Sequence, residues 1–150
     1  MSGLIRISLA GLPPSSNHAY FNLPRGGRTL TTKGRGYKTE TSAFVIRFHQ
    51  NDIRELKRNH PYGLAVKLVF TNLYNETWPA KASSRYKKVD VSNRVKLLED
   101  ALMDAFGLDD SQILDLHLGK RTGENEFTHI LLWDQETCSA ADAYDAYARL

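Results

Sequence analysis

The chain has one cysteine, Cys138, in 150 residues. It cannot form an intrachain disulfide, so no disulfide framework points to an exported protein. Its five histidines, His18, His49, His60, His117 and His129, show no metal-ligand spacing, and with a single cysteine they offer no structural zinc site. No apolar run approaches the roughly 20 residues needed to span a bilayer. The N-terminus reads as the start of a strand and lacks the long apolar segment of a secretory signal. The expected compartment is the cytoplasm, with no membrane partner. Neither a P-loop nor a dinucleotide fingerprint occurs, which removes the common nucleotide cofactors, and no Ser-His-Asp arrangement stands out.

Charge is present but unevenly placed. The net charge is +3. Residues 1–96 carry 17 Lys and Arg against 5 Asp and Glu, a balance of +12, whereas residues 97–150 carry 3 against 12, a balance of −9. Such a split suggests a basic surface for a polyanion with carboxylates gathered elsewhere, or simply two differently solvated faces. A basic half binds phosphates of any nucleic acid and does not distinguish DNA from RNA.

The length suits one domain, able to bury roughly two-thirds of its unfolded surface around one core. A strand is expected at about residues 4–10, from Leu4, Ile5, Ile7 and Leu9. Leu12-Pro13-Pro14-Ser15-Ser16-Asn17 then breaks regular structure. Most of the glycine-rich basic stretch through Arg25, Arg28, Lys33, Arg35 and Lys38 reads as loop. Tyr20, Phe21 and Tyr37 are interleaved with it, so it is either a flexible surface loop or one lying along a nucleic-acid backbone.

A helical pattern runs from about Thr39 to Asn59. Leu64 to Thr71 reads as a buried strand, and residues 72–88 as a polar connection. A second helix is expected from about Val91 to Phe106, with a core stripe of Val91, Val95, Leu98, Leu102 and Ala105 and a stop at Gly107. Strands at about 112–120 and 127–133, joined by Thr122-Gly123-Glu124-Asn125, suggest an antiparallel hairpin. There His117 and His129 would face each other or stand as ordinary strand positions. Residues 135–149 close the chain as a helix. The order β-α-β-α-β-β-α describes a single α+β domain with a mixed sheet and no internal repeat.

The chemistry gathers around the second helix. Asp90 lies at or just before its start, Ser92 and Asn93 on its cap or first turn, and Lys96 one turn further on. Asp109 and Asp110 lie in the turn after it. Carboxylates with a nearby lysine and upstream Arg85, Lys87 and Lys88 would serve to hold a divalent cation against a phosphodiester. Each residue also has a plainer reading: Asp90 or Ser92 as an N-cap, Asp109-Asp110-Ser111 as a turn, Lys96 as a solvated helix lysine. A helix of about sixteen residues is roughly 24 Å long. Asp90 and Asp110 therefore meet only if the chain folds back or a partner subunit supplies one of them.

Leu12-Pro13-Pro14-Ser15-Ser16-Asn17, the basic loop, Asp90-x-Ser92-Asn93-x-x-Lys96, Glu99-Asp100-Ala101-Leu102 and Leu108-Asp109-Asp110-Ser111-Gln112, in that order, resemble the RusA family of Holliday-junction resolvases over about residues 4–121. The resemblance implies a small homodimeric α/β endonuclease that uses magnesium, with manganese a possible substitute, to make paired nicks in four-way DNA junctions. It implies a setting in DNA recombination and repair, and many relatives are encoded by phages or prophages. Asp90 and Asp110 match metal-binding aspartates, Lys96 the catalytic lysine, Asn93 the motif asparagine and Asp109 its acidic neighbour. Ser92 departs from the pattern, standing where the family's D-x-D-N has an aspartate. A hydroxyl can coordinate magnesium or hold one of its waters, but brings no negative charge. The basic residues at 25–38 and 85–88 would position the DNA backbone. A branched-DNA-binding protein weakened in catalysis by Ser92, or a nuclease acting on flaps or forks, are the alternatives.

Overall fold

The computed structural model describes residues 3–150. Met1 and Ser2, the first residues of the expected N-terminal strand segment, lie outside them. The elements are β1 (Leu4–Ala10), α1 (Ser16–Ala19), β2 (Tyr20–Asn22), β3 (Arg28–Leu30), α2 (Thr32–Phe48), α3 (Gln50–Glu55), β4 (Tyr62–Phe70), α4 (Ser92–Phe106), a 3-10 turn at Asp110–Gln112, β5 (Ile113–Thr122), β6 (Phe127–Asp134) and α5 (Ala140–Ala148). This is the expected α+β order with short elements added. Among the described residues no helix is long and apolar enough to cross a membrane.

The main sheet is mixed, in the order β1-β6-β4-β5. β4 is antiparallel to β6 and parallel to β5. The expected hairpin between the last two strands is therefore not formed, because β4 lies between β5 and β6. Alternating side chains define a strand and its faces but not its neighbour. Here the nearly continuous apolar run of β4, in which all residues but Lys67 are buried, demands cover on both faces and a partner on both edges. The 123–126 connection crosses the end of β4, where Gly123 N–H donates to the Phe70 carbonyl at 2.9 Å. His117 and His129 are consequently two strands apart; Ser8 Oγ lies 2.8 Å from His129 Nδ1.

One sheet face, carrying Ile7, Leu64, Val66, Leu68, Ile130 and Leu132, packs against Val95, Leu98, Leu102 and Phe106 of α4 and Val45 of α2. The other carries Ala65, Leu131 and Trp133 against Ala143 and Ala146 of α5. The expected α4 stripe is correct, and Gly107 ends the helix at φ 66, a left-handed conformation that glycine adopts without a steric penalty. The basic glycine-rich stretch differs from expectation. Tyr20–Asn22 and Arg28–Leu30 pair as a small hairpin. Lys33-Gly34-Arg35-Gly36 is helix, starting α2 seven residues early, because Thr31 Oγ1 accepts from the Gly34 N–H and caps it. The long first helix is also broken near His49 into α2 and α3.

Candidate active site around the fourth helix

Asp90 is positioned by the turn that launches α4. Its Oδ1 accepts from the Ser92 N–H at 3.0 Å and from the Ser92 hydroxyl at 2.6 Å. The capping and functional readings of Asp90 thus coincide: one carboxylate organises the first turn while remaining exposed. The Ser92 hydroxyl holds the Asp90 carboxyl below its ordinary pKa; desolvation opposes it, and the Asn93 and Ser92 N–H groups and the charge of Lys120 add to the lowering. The site presents an ionised oxygen ligand at a helix N-terminus, where negative charge is favoured.

The segment around Pro13 is fastened to the same turn. Ser16 Oγ donates to the Asn93 carbonyl at 2.7 Å, and Arg94 Nη1 donates to the Pro13 carbonyl at 2.9 Å. From the other side, Lys120 Nζ on β5 donates to the Val89 carbonyl at 2.7 Å. Arg94 and Lys120 were not foreseen; their roles arise from contacts across 81 and 31 positions of sequence, which no local spacing reports. Lys96 is largely exposed, with Nζ 3.7 Å from Asp100 Oδ1, while Asp100 Oδ2 accepts from the Tyr20 hydroxyl at 3.3 Å.

Asp109 and Asp110 serve different ends. Asp109 caps the 3-10 turn, accepting from the Ser111 N–H at 2.9 Å, and its own N–H donates to Gln112 Oε1 at 3.1 Å. The Ser111 hydrogen bonds hold its carboxyl below the ordinary value. Gln112 Nε2 then ties the turn to the Arg58 and His60 carbonyls. Asp110 is exposed. Nearby is Glu99, half-buried on α4, whose carboxyl is pushed up first by desolvation, with Asp100 and Asp110 adding to the rise and Lys96 opposing it. Glu99 stands in the Glu99-Asp100-Ala101-Leu102 stretch, whose local pattern assigns it no role. A glutamate amid acidic neighbours on the inner side of a helix was the available signal.

The two aspartates are not brought together within one chain. Asp90 lies beside Lys120, whereas Asp110 precedes Ile113, where β5 begins. Seven strand steps separate Ile113 from Lys120, about 23 Å at 3.3 Å each. Among the described residues no three His, Cys, Asp or Glu side chains stand close enough to hold a metal ion. The oxygen donors suit magnesium in kind, but one chain offers them in two separate halves, Asp90 with Ser92 and Asp110 with Glu99.

The expected DNA-contacting residues also divide. Lys33 and Lys87 line an open groove with Pro13, Pro14, Tyr37, Glu40 and Arg94 beside the α4 N-terminus. Arg25, Arg35 and Lys88 are exposed. Arg28 lies over the Tyr20 ring at 5.4 Å, and Arg85 over Trp78 at 5.7 Å and Tyr86 at 5.6 Å. Lys38 turns away to Asp104 at 3.0 Å.

Among curated proteins no relative matches the chain. The family described as Endodeoxyribonuclease RusA matches residues 11–132, a span that holds the Pro13 segment, α4 and both aspartates. The chain belongs to the RusA family of endodeoxyribonucleases.

Proposed function

We propose that this protein is a magnesium-dependent homodimeric endonuclease that resolves four-way DNA junctions by paired nicks, in cytoplasmic DNA recombination, repair or phage DNA processing. The observation that carries this reading is the family match over residues 11–132, which encloses an exposed Asp90 hydrogen-bonded by Ser92 at the start of α4. Asp90 with Ser92 from one subunit, and Asp110 with Asp109 beside it from its partner, would hold the metal. A magnesium ion there would polarise the scissile phosphate and lower the pKa of an attacking water.

The chain's own residues do the rest. Asp90 presents a charged oxygen at the mouth of the helix, and the Ser92 hydroxyl fixes its position and lowers its pKa. Lys96 places a cation one turn in, where it would stabilise charge developing on the phosphate or assist the leaving group. Lys33, Lys87 and Lys88, with Asn93 at the helix start, would contact the backbone and fix its register without reading sequence. A four-way junction has approximate two-fold symmetry, which suits two equivalent sites related by a C2 axis.

Asp90→Asn tests this reading. It should abolish cleavage while junction binding survives; loss of both together would mark Asp90 as a structural cap only. A second reading is favoured by one observation: Ser92 spends its hydroxyl on Asp90 and adds no charge. If the native protein binds junctions tightly but does not cut them with magnesium or manganese, it is a branched-DNA-binding protein. A panel of flaps, forks and junctions separates a resolvase from a nuclease for other branched DNA.

A further inference from the structure

The polar connection between β4 and α4 folds back on itself and is pinned there. The Asn75 N–H donates to the Arg85 carbonyl at 3.0 Å and the Lys87 N–H to the Leu73 carbonyl at 2.8 Å. Asn75 Nδ2 donates to the Ser84 carbonyl at 2.7 Å and to the Tyr86 carbonyl at 3.2 Å. Tyr74 and Tyr86 form an antiparallel bridge. The fold-back sets four planar groups in a row. The Arg85 guanidinium lies 5.7 Å from the Trp78 ring and 5.6 Å from the Tyr86 ring, and Tyr86 lies 5.4 Å from Tyr74. These rings do not serve as core: Trp78 is 44%, Tyr74 47% and Tyr86 54% exposed.

Tyr74 and Tyr86 wall an open cleft of about 500 Å³, completed by Leu73, Lys87, Lys120, Arg121 and Thr122. That volume is in the range of sites for small organic groups. No carboxylate stands among the described residues that line it. Arg121 directs its guanidinium to the Leu150 and Thr122 carbonyls, which leaves Lys87 and Lys120 as the cations for a phosphate. Lys87 also lines the groove beside Pro13 and Arg94, so cleft and groove share a wall. Lys120 reaches from the cleft to the Val89 carbonyl beside Asp90.

We propose that this cleft takes one unstacked base of the DNA, laid on the Tyr74–Tyr86 platform, close to the phosphate presented to Asp90. The position relative to the cut rests on the nuclease reading above; the capture of a base does not. Aromatic rings accept any base by its face, and lysines beside them hold the connecting phosphates. Three steps of chain lead from Lys87 to Asp90, at most about 11 Å. Along one DNA strand that is about three nucleotides at 3.4 Å each. A base leaves its stack at least cost where pairing or stacking is already interrupted, as at a branch point. The platform therefore gives the chain a way to prefer branched DNA over linear duplex without reading sequence.

The test is binding of a fluorescein-labelled four-way junction in EDTA at fixed salt, followed by anisotropy. Junctions carrying one abasic site at successive positions within three nucleotides of the crossover should include one that the native protein binds roughly 5–150-fold more weakly. Joint Tyr74→Ala and Tyr86→Ala substitution should weaken binding of the intact junction by a similar factor and abolish sensitivity to the abasic site. Joint Tyr74→Phe and Tyr86→Phe substitution, which keeps both rings, should bind as the native chain does. The pins of this segment use backbone atoms of Tyr74 and Tyr86, so ring removal leaves them in place. Native binding indifferent to every abasic position overturns the proposal, whatever the variants do. So does an alanine pair that binds normally, or a phenylalanine pair that falls as far as the alanine pair. A native protein with this base dependence that fails to cut with Mg²⁺ or Mn²⁺ keeps the base site and loses the nuclease reading. One that cuts without base dependence keeps the nuclease and loses the base site.

Discussion

The Ser92 hydroxyl donates to Asp90 Oδ1 at 2.6 Å, the shortest link at the start of α4 among the hydrogen bonds described for that turn. It is the leading cause of the lowered Asp90 pKa. Ser92→Ala should therefore raise that pKa toward the ordinary carboxylate value. Cleavage that requires ionised Asp90 fails as pH falls through its pKa, so the acid limb of the pH–rate profile should move to higher pH in the variant. The same sign holds for stability: a depressed folded-state pKa stabilises above the unfolded value and is lost as pH falls. An unmoved acid limb would show that Asp90 does not set it.

Glu99 gives the opposite sign. Its folded-state pKa is raised, first by desolvation, so its contribution is most favourable below the unfolded pKa and is lost as pH rises through the folded value. Glu99→Gln removes that loss. Thermal unfolding should show the variant gaining on the native chain at pH 8 and little difference at pH 4. A gain at pH 4 alone would contradict the assignment.

Two glycines of α2 separate propensity from packing. A Cβ at Gly34 would overlap the Ala19 carbonyl oxygen, whereas one at Gly36 meets open space. Gly36→Ala should stabilise by up to about 1 kcal/mol through helix propensity. Gly34→Ala should destabilise by about 1–3 kcal/mol through overpacking. Chemical denaturation of the two variants measures both, and similar gains would disprove the close approach.

Lys87 lines the groove beside Pro13 and Arg94, while Lys38 is paired with Asp104. Lys87→Ala should weaken junction binding and reduce the slope of log K against log salt by about 0.9, one phosphate contact. Lys38→Ala should leave the slope unchanged. Equal effects would mean the groove is not the DNA track.

Much of this architecture is legible in the chain because the signals are local. The three-or-four spacing of Val95, Leu98 and Leu102 and the stop at Gly107 define α4, and the apolar run of β4, interrupted only by Lys67, marks a buried strand. The Asp90–Ser92 pair is equally local, two positions apart. Strand order was not legible, since alternation in β5 and β6 is the same whether they pair with each other or with β4. The start of α2 was hidden because Gly34 and Gly36 imitate a loop, although the fold needs one of them where Ala19 approaches. Arg94 and Lys120 act through carbonyls distant in sequence, so their side chains carry no sign of their targets. The helix length did reveal the separation of Asp90 from Asp110.

Cleavage of a labelled synthetic four-way junction with Mg²⁺, beside EDTA and Asp90→Asn controls and a matched linear duplex, tests the central claim most directly. The account predicts paired nicks near the crossover that are absent from the duplex and from both controls. Tight binding without nicks, or cutting that continues in EDTA or in Asp90→Asn, would contradict it.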